Sequence, residues 1–135
     1  MESWTVKPLN PGDHIRVSRG SYYHHGIYLG NGEVAHYCGP EGDDVFAPEN
    51  VEVRITPMSR FTDGFCEVKE YYDKRKRRSP KEIVNYAKSK EGTKGYDPLN
   101  NNCEHFANEC VYGEGFSQFV DDTRSRIREL LGKKK

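Results

Sequence analysis

A cysteine at a predicted helix start and two upstream histidines are the residues of this chain that could do chemistry together. Cys103 lies in the segment Asn102-Cys103-Glu104-His105-Phe106, where Asn102 can cap the helix. His24 and His36 lie upstream, in two strand-like segments. A thiol nucleophile, a base and a group that orients the base are the parts of nucleophilic catalysis. The pattern therefore indicates acyl transfer through a thioester.

The helix start alone cannot activate the thiol. A free thiol with a pKa near 8.5 is only a few per cent thiolate at neutral pH, and lowering that pKa by about two units takes about 2.7 kcal/mol. A helix N-terminus supplies about 0.3–1 kcal/mol, and about 2 at best. We therefore expect an imidazolium within hydrogen-bond reach of Cys103.

The strand pattern limits which histidine can serve. His24 and His25 are adjacent on a predicted strand and face opposite sides, so only one of them can meet Cys103. We favour His24, because it shares its side with Gly26, which leaves room for a close approach. If the two strands fold together, His36 lies beside His24. There it can accept a hydrogen bond from the ring N–H of His24 and fix its tautomer.

The elements that must position these residues are strands first and helices afterwards. Apolar residues alternate in several segments before residue 72, and Gly30-Asn31-Gly32 is a hairpin signal. Helical periodicity begins after Ser79-Pro80-Lys81-Glu82, which is a capping box. This order predicts the α+β class, with a small antiparallel β-sheet packed against helices. We expect a single domain over residues 1–135 that ends in an amphipathic helix of about 114–131.

Composition narrows the classes of partner. The net charge is zero although 31% of the residues are charged, so we expect no nucleic acid partner. No apolar run approaches the ~18 residues of a membrane-spanning helix, and the first residues lack a signal-peptide pattern. We expect a cytoplasmic monomer whose cysteines are thiols: Cys38, Cys66, Cys103 and Cys110.

Two further features have competing interpretations. His36-x-Cys38 and Cys103-x-His105 offer four soft ligands, but neither spacing is that of a strong zinc motif, so we expect no metal and no cofactor. A basic run is either a solvated loop, a nuclear-import signal or a patch that contacts an anionic membrane. Its residues are Lys74, Arg75, Lys76, Arg77 and Arg78.

Tyr22-Tyr23-His24-His25-Gly26-Ile27-Tyr28-Leu29-Gly30, followed by His36 and Asn102-Cys103-Glu104-His105-Phe106, resembles the lecithin:retinol acyltransferase (LRAT) family. That family includes the H-Ras-like suppressor phospholipase/acyltransferases. The resemblance covers about residues 9–112, the expected core, and implies a circularly permuted papain-like fold of the NlpC superfamily. It implies that Cys103 is the nucleophile, His24 the general base and His36 the orienting residue. Tyr22 and Asn102 would support the site or the oxyanion.

The resemblance also implies an activity. Members take a fatty acyl group from a phospholipid as a cysteine thioester and pass it to water, an amine, a lysophospholipid or retinol. His25 stands where the family motif usually has Trp, which makes that wall of the site more polar. This polarity keeps a second interpretation open, a cysteine amidase or peptidase of the wider superfamily that acts on cell-wall peptides or other amides. A non-catalytic binding module is a third, although it would not need Cys103, His24 and His36 together.

Overall fold

The structure is a computed structural model that describes residues 3–71, 75–98, 101–113, 115 and 117–132. Within these residues the strands are β1 Ser3–Thr5, β2 His14–Ser18, β3 Tyr23–Gly30, β4 Glu33–Cys38, β5 Glu52–Pro57 and β6 Glu67–Glu70. The α-helices are α1 Met58–Phe61, α2 Pro80–Ser89, α3 Cys103–Tyr112 and α4 Gln118–Gly132. The strands form one antiparallel sheet in the order β1-β6-β2-β3-β4-β5, which confirms the α+β class.

The β3–β4 hairpin brings the strands that carry His24 and His36 together. Its turn contains Asn31 at a φ of 54°, a left-handed conformation that Asn tolerates better than most residues. β2 pairs with β3 from Tyr23 to Ile27, whereas the described pairing of β4 with β3 begins only at Ile27. The first half of β3 therefore has an open edge on the side of β4.

The sheet separates two hydrophobic clusters. On one face α2 and α3 cover the sheet, and the buried residues there include Ile27, Leu29, Ala35, Tyr37, Val53, Ile83, Phe106, Ala107 and Val111. The other face is filled by Ile15, Val34, Phe61, Cys66 and Val68. Alternation along β3 places the side chain of His25 on the face of α3 and that of His24 on the face of Phe61.

The capping box at the start of α2 forms as the sequence indicates. The Ser79 hydroxyl accepts from the Glu82 amide at 3.2 Å, and the Glu82 carboxylate accepts from the Ser79 amide at 3.0 Å. The Arg78 guanidinium, one residue before this cap, donates to the carbonyls of Glu109 at 2.9 Å and Cys110 at 3.2 Å. Arg78 therefore satisfies the C-terminal carbonyls of α3.

The described residues that precede Arg78 in the basic run are exposed, and two of them contact aromatic rings. Arg77 lies 4.1 Å from the ring centre of Tyr71, and Arg75 lies 5.2 Å from that of Tyr112. Lys76 is exposed, and Lys74 lies outside the described residues. Residues 75–78 of the run thus form a loop, and Arg78 stabilises the C-terminal end of α3.

The last helix lies close to the predicted segment, and its C-terminal half leaves apolar residues exposed. α4 begins at Gln118, and residue 114, where the expected segment began, lies outside the described residues. Val120 is buried, but Ile127, Leu130 and Leu131 are 51%, 62% and 60% exposed, so the apolar residues of the C-terminal half lack a core to cover. Among the helices of the described residues, none combines the length and apolar character that a bilayer crossing needs.

Candidate active site

Cys103 is the first residue of α3, and the residues next to it cap the N-terminus of that helix. The Asn102 side-chain oxygen accepts from the backbone N–H of His105 at 3.0 Å. In return, the backbone N–H of Asn102 donates to His105 Nδ1 at 3.0 Å. His105 thereby takes the place that Glu or Gln has in the usual capping box. The Asn102 Nδ2 group donates to the Pro98 carbonyl and the Ser117 hydroxyl. Asn102 therefore contributes to the site by positioning Cys103.

The Cys103 thiol meets the open edge of β3. The amide of His25 donates to Sγ at 3.5 Å, and the carbonyl oxygen of Tyr23 lies 3.8 Å from Sγ. These peptide groups flank His24, so the sulfur lies at the edge of the sheet next to the backbone of His24. The hydrogen bonds that the thiol makes within the described residues are to backbone groups, so the expected contact with an imidazole is not formed in this arrangement.

The surroundings of the thiol keep it protonated. Burial raises the pKa of Cys103 to about 12, the hydrogen bond from the His25 amide opposes this rise, and the carboxylates of Glu104 and Asp43 add to it. Glu104 is itself buried and accepts from the Ser117 hydroxyl at 2.7 Å. Desolvation therefore exceeds what the helix start contributes. A thiolate can form here only if a base takes its proton.

His24 and His36 lie side by side and form a directed chain of hydrogen bonds. His24 Nε2 is 2.8 Å from His36 Nδ1, and His36 Nε2 is 2.9 Å from the Thr56 hydroxyl. Since the Thr56 hydroxyl donates to the Pro57 carbonyl at 3.1 Å, it accepts from His36. Both neutral rings then carry their proton on Nε2. His24 keeps a lone pair on Nδ1, which is the tautomer that a general base at that nitrogen needs.

A carboxylate to which the sequence analysis gave no role lies beside this pair. Asp43 Oδ1 is 3.6 Å from His24 Nε2, and Asp43 Oδ2 accepts from the Tyr22 hydroxyl at 2.7 Å and from Arg19 Nε at 2.8 Å. Burial opposes ionisation of Asp43, but Arg19, His24 and Tyr22 outweigh it and lower the carboxyl pKa. Burial lowers the pKa of His24 well below its usual value and that of His36 to about 4, and Asp43 opposes both shifts.

The sequence analysis preferred His24 because Gly26 would leave room for Cys103, and the structure shows that this reason is wrong. A Cβ added to Gly26 would lie 2.9 Å from side-chain atoms of both Phe61 and Val34. The room beside Gly26 is thus taken by the core on the face opposite α3, not by Cys103. The sequence could not reveal this, because it does not say which face of β3 the helix covers. The thiol meets the β3 backbone on either side of His24 at the strand edge instead.

A second histidine pair lies on the face of α3. His14 Nε2 is 2.8 Å from His25 Nδ1, and Trp4 contacts both rings edge-on, with centroid distances of 5.1 and 5.6 Å. Burial, together with the neighbouring cations Arg16 and Lys69, lowers the pKa of His25 to about 3. His25 is therefore held neutral in surroundings that disfavour accepting a proton.

A cavity of about 760 Å³ adjoins the thiol. Cys103, Tyr22 and His25 all line it, which makes one wall polar. The other lining residues combine aromatic, aliphatic and polar side chains: Arg16, Ser18, Tyr23, Val45, Phe46, Tyr96, Pro98, Asn102, Glu104 and Ser117. The volume lies in the range of small-molecule sites, about 300–1,000 Å³.

The structure does not assemble the zinc ligands that the sequence left open. In the part of the chain that the structure describes, no group of three or more His, Cys, Asp or Glu side chains is arranged to hold a metal ion. His105 is engaged in the cap of α3, while Cys38 lies 3.7 Å from His36 Nε2. All four cysteines are buried free thiols. The basic run is also separate from the site, because Arg78 binds the Glu109 and Cys110 carbonyls, about 10 Å along the helix from Cys103.

Comparison with known proteins gives a consistent set of relatives. Residues 7–116 match the family model described as lecithin retinol acyltransferase. The chain is 30% identical over 128 residues to human phospholipase A and acyltransferase 4, which covers 87% of this chain and 78% of that protein. It is 33% identical over 122 residues to rat phospholipase A and acyltransferase 1, and the match covers 81% of this chain and 71% of that protein. It is 29% identical over 147 residues to mouse lecithin retinol acyltransferase, with 87% of this chain but only 62% of that protein covered.

Proposed function

Because the chain belongs to the lecithin retinol acyltransferase family, we propose that it takes an acyl group from a phospholipid or another lipid ester as a thioester on Cys103 and passes it to water or another acceptor. The observation that carries the proposal is the position of the thiol at the open edge of β3, next to the backbone of His24. The hydrogen bonds of His24 and His36 leave His24 Nδ1 unprotonated, with a free lone pair. The cavity next to the thiol can receive the substrate.

Acylation begins with transfer of the thiol proton from Cys103 Sγ to Nδ1 of His24. Sγ must rotate away from the Tyr23 carbonyl to make this transfer, because its present contacts are to the backbone. The thiolate then forms a bond to the ester carbonyl carbon, and backbone N–H groups at the start of α3, including that of Cys103, stabilise the oxyanion. As the C–O bond breaks, the His24 imidazolium gives its proton to the leaving alkoxide.

Deacylation uses the same groups in reverse. His24 Nδ1 takes a proton from water or another acceptor, whose oxygen or nitrogen attacks the thioester carbonyl carbon. The C–S bond breaks, and the proton returns from His24 to the Cys103 sulfur. His36 acts through His24 in both steps, because its Nδ1 accepts from His24 Nε2 and keeps the catalytic nitrogen unprotonated.

An amidase or peptidase of the wider superfamily is the second candidate. The observation that favours it is the polar wall of the cavity, where His25, Arg16 and Glu104 line the space beside the thiol. The same thiol and histidines would serve an amide substrate, because the leaving amine also needs a proton. The two candidates differ in the bond that is broken.

We propose that the exposed part of the basic run contacts anionic lipid while the thiol acts. Arg75, Lys76 and Arg77 are exposed, and each basic residue near an anionic surface contributes about 1 kcal/mol. Arg78 is excluded from this role because its guanidinium is bound to α3 carbonyls.

Release of fatty acid from dihexanoyl phosphatidylcholine tests the proposed activity. The wild-type chain should release hexanoic acid, and Cys103→Ser should lose at least about a thousandfold of the rate, because the alcohol is a far weaker nucleophile here. Cys66→Ser is the matched control, since that thiol is buried in the other cluster. If no fatty acid is released while iodoacetamide still labels Cys103 selectively, the ester activity is rejected and the amidase is favoured.

A further inference from the structure

The geometry points to Asp43 as a positioning residue that stabilises the positive charge on His24 while the thiol proton resides there. This inference rests on the proposed function, and it assigns a task that the pair of histidines cannot perform. His36 is neutral and can accept one hydrogen bond from His24, but it cannot balance a full charge. Asp43 lies on the loop after β4 and supplies the missing anion.

Contacts on three sides hold the Asp43 carboxylate in place. Oδ2 accepts from the Tyr22 hydroxyl and from Arg19 Nε, and Oδ1 is directed toward His24 at 3.6 Å. Arg19 also donates to the Phe61 carbonyl at 2.8 Å, so its guanidinium is fixed as well. Tyr22 therefore supports the site through Asp43, which gives a physical basis for its place in the motif.

The charges of the cluster balance both before and after proton transfer within the site. With the proton on sulfur, Asp43 and Arg19 form a neutral pair beside a neutral His24. Transfer creates a thiolate and an imidazolium, and the cluster of four charges is again neutral overall. A buried imidazolium without an anion nearby would be strongly disfavoured. Asp43 provides that anion on the side of the ring that faces away from the transferred proton.

Asp43 acts on both partners of the transfer, and the two effects oppose each other. It favours a proton on His24, from which it is 3.6 Å away, and it disfavours a thiolate at Cys103, whose pKa it raises. The contact with His24 is direct, so the first effect should exceed the second. The other groups that act on His24 are His36, His25 and Arg19, all of which disfavour its charged form, and Arg60 acts likewise on His36.

The test is the rate at which iodoacetamide alkylates Cys103, measured by peptide mass spectrometry from pH 5 to 9. Iodoacetamide reacts with the thiolate, so the rate at pH 7 follows the fraction of thiolate–imidazolium pair. Asp43→Asn should slow alkylation about tenfold, the low end of the effect of a charge at this distance, because Arg19 already shares the carboxylate. Asp44→Asn is the matched control. Asp44 has a φ of 52°, which Asn tolerates.

Arg19→Gln separates an electrostatic role from a structural one. It breaks the same ion pair as Asp43→Asn but removes a positive charge near His24, so alkylation of Cys103 should become faster. A purely structural role for the ion pair would make both variants change in the same direction. A faster or unchanged rate in Asp43→Asn would overturn the inference, because the carboxylate would then act mainly on the thiol or on neither group.

Fatty acid release by the same proteins distinguishes this inference from the proposed function. If Cys103→Ser abolishes release but Asp43→Asn alkylates at the wild-type rate, only the role of Asp43 is rejected. If Cys103→Ser still releases fatty acid, the thioester route itself fails whatever Asp43 does.

Discussion

Two pairs of histidines lie on opposite faces of the same sheet, each with ring nitrogens 2.8 Å apart, yet their surroundings differ in charge. The pair on the face of α3, His14 and His25, lies near Arg16 and Lys69, and burial together with these cations lowers the pKa of both rings. The pair on the other face, His24 and His36, lies beside Asp43, which opposes the lowering. The distance between the rings is therefore the same in both pairs, whereas Asp43 favours the protonated form of His24 and His36.

The Cys103 sulfur lies next to the β3 backbone that carries one histidine of each pair. It contacts the backbone on either side of His24, at an edge that β4 leaves open. Proximity alone would allow His25, which lines the cavity with Cys103. In the proposed mechanism, the choice of base depends on charges brought from distant loops, such as that of Asp43, rather than on the strand that carries the histidine.

The largest expected effect on activity is the difference between removing His24 and removing His25, one histidine from each pair. His24→Ala should reduce fatty acid release about 10²–10⁴-fold, the usual contribution of a general acid and base. His25→Ala is the matched variant on the neighbouring residue and should cost much less, because it removes only a wall of the cavity. Equal losses would place the base on the face of α3 and reverse the comparison.

A smaller effect is expected at the end of the hydrogen-bond chain. Thr56→Val keeps the shape but removes the acceptor of His36 Nε2, so His36 can move its proton to Nδ1 and compete with His24 for the same bond. We expect about a tenfold loss of fatty acid release, equivalent to about 1.4 kcal/mol. Thr56→Ser keeps the hydroxyl and should retain activity. An unaffected Thr56→Val enzyme would show that the tautomer is fixed by other groups.

Both histidine pairs should make the stability of the folded protein depend on pH. The folded-state pKa values of His14, His24, His25 and His36 are lowered by burial, so below pH about 6.5 the unfolded chain binds protons that the folded chain does not. The free energy of unfolding should therefore fall with falling pH, by at most about 1.4 kcal/mol per pH unit for each histidine.

Urea unfolding at pH 7.5, 6.0 and 5.0 measures this dependence. His25→Phe should make the dependence less steep, because it removes one of the buried neutral histidines. A free energy of unfolding that stays constant from pH 7.5 to 5.0 would contradict the buried neutral state of both pairs.

The last expected effect is on membrane binding rather than on catalysis, at the other end of α3. Replacing Arg75, Lys76 and Arg77 with Gln should weaken binding to vesicles of phosphatidylcholine and phosphatidylserine at low salt, at about 1 kcal/mol per residue. Arg78→Gln is a contrasting variant and should lower thermal stability instead, because Arg78 binds the Glu109 and Cys110 carbonyls. Unchanged vesicle binding in the triple variant would reject membrane contact by this loop.

Local signals account for the parts of the fold that the sequence predicted. The turn at Gly30-Asn31-Gly32, the capping box at Ser79 and the cap at Asn102 each depend on neighbouring residues only. β1 was not predicted, because its three residues owe their strand conformation to pairing with β6, far along the chain. The exposure of Leu130 and Leu131 was also not foreseen, since an apolar pattern does not say whether a partner surface exists.

The candidate site was predictable in its residues but not in its arrangement. The cysteine and histidines were recognisable from their motif, whereas the face of β3 that α3 covers depends on the whole sheet. Asp43 and Thr56 lie on separate segments and meet the histidines only in the folded chain. An acidic stretch after β4 was the sole local sign of Asp43, and such stretches are common in solvated loops.

The most direct measurement is the intact mass of the protein after brief incubation with dihexanoyl phosphatidylcholine and acid quench, with Cys103→Ser, His24→Ala and His25→Ala in parallel. We expect wild type and His25→Ala to gain the mass of one hexanoyl group, Cys103→Ser to gain none, and His24→Ala to gain it far more slowly. A hexanoyl adduct that persists in Cys103→Ser, or one that forms in His24→Ala as fast as in wild type, would contradict the account.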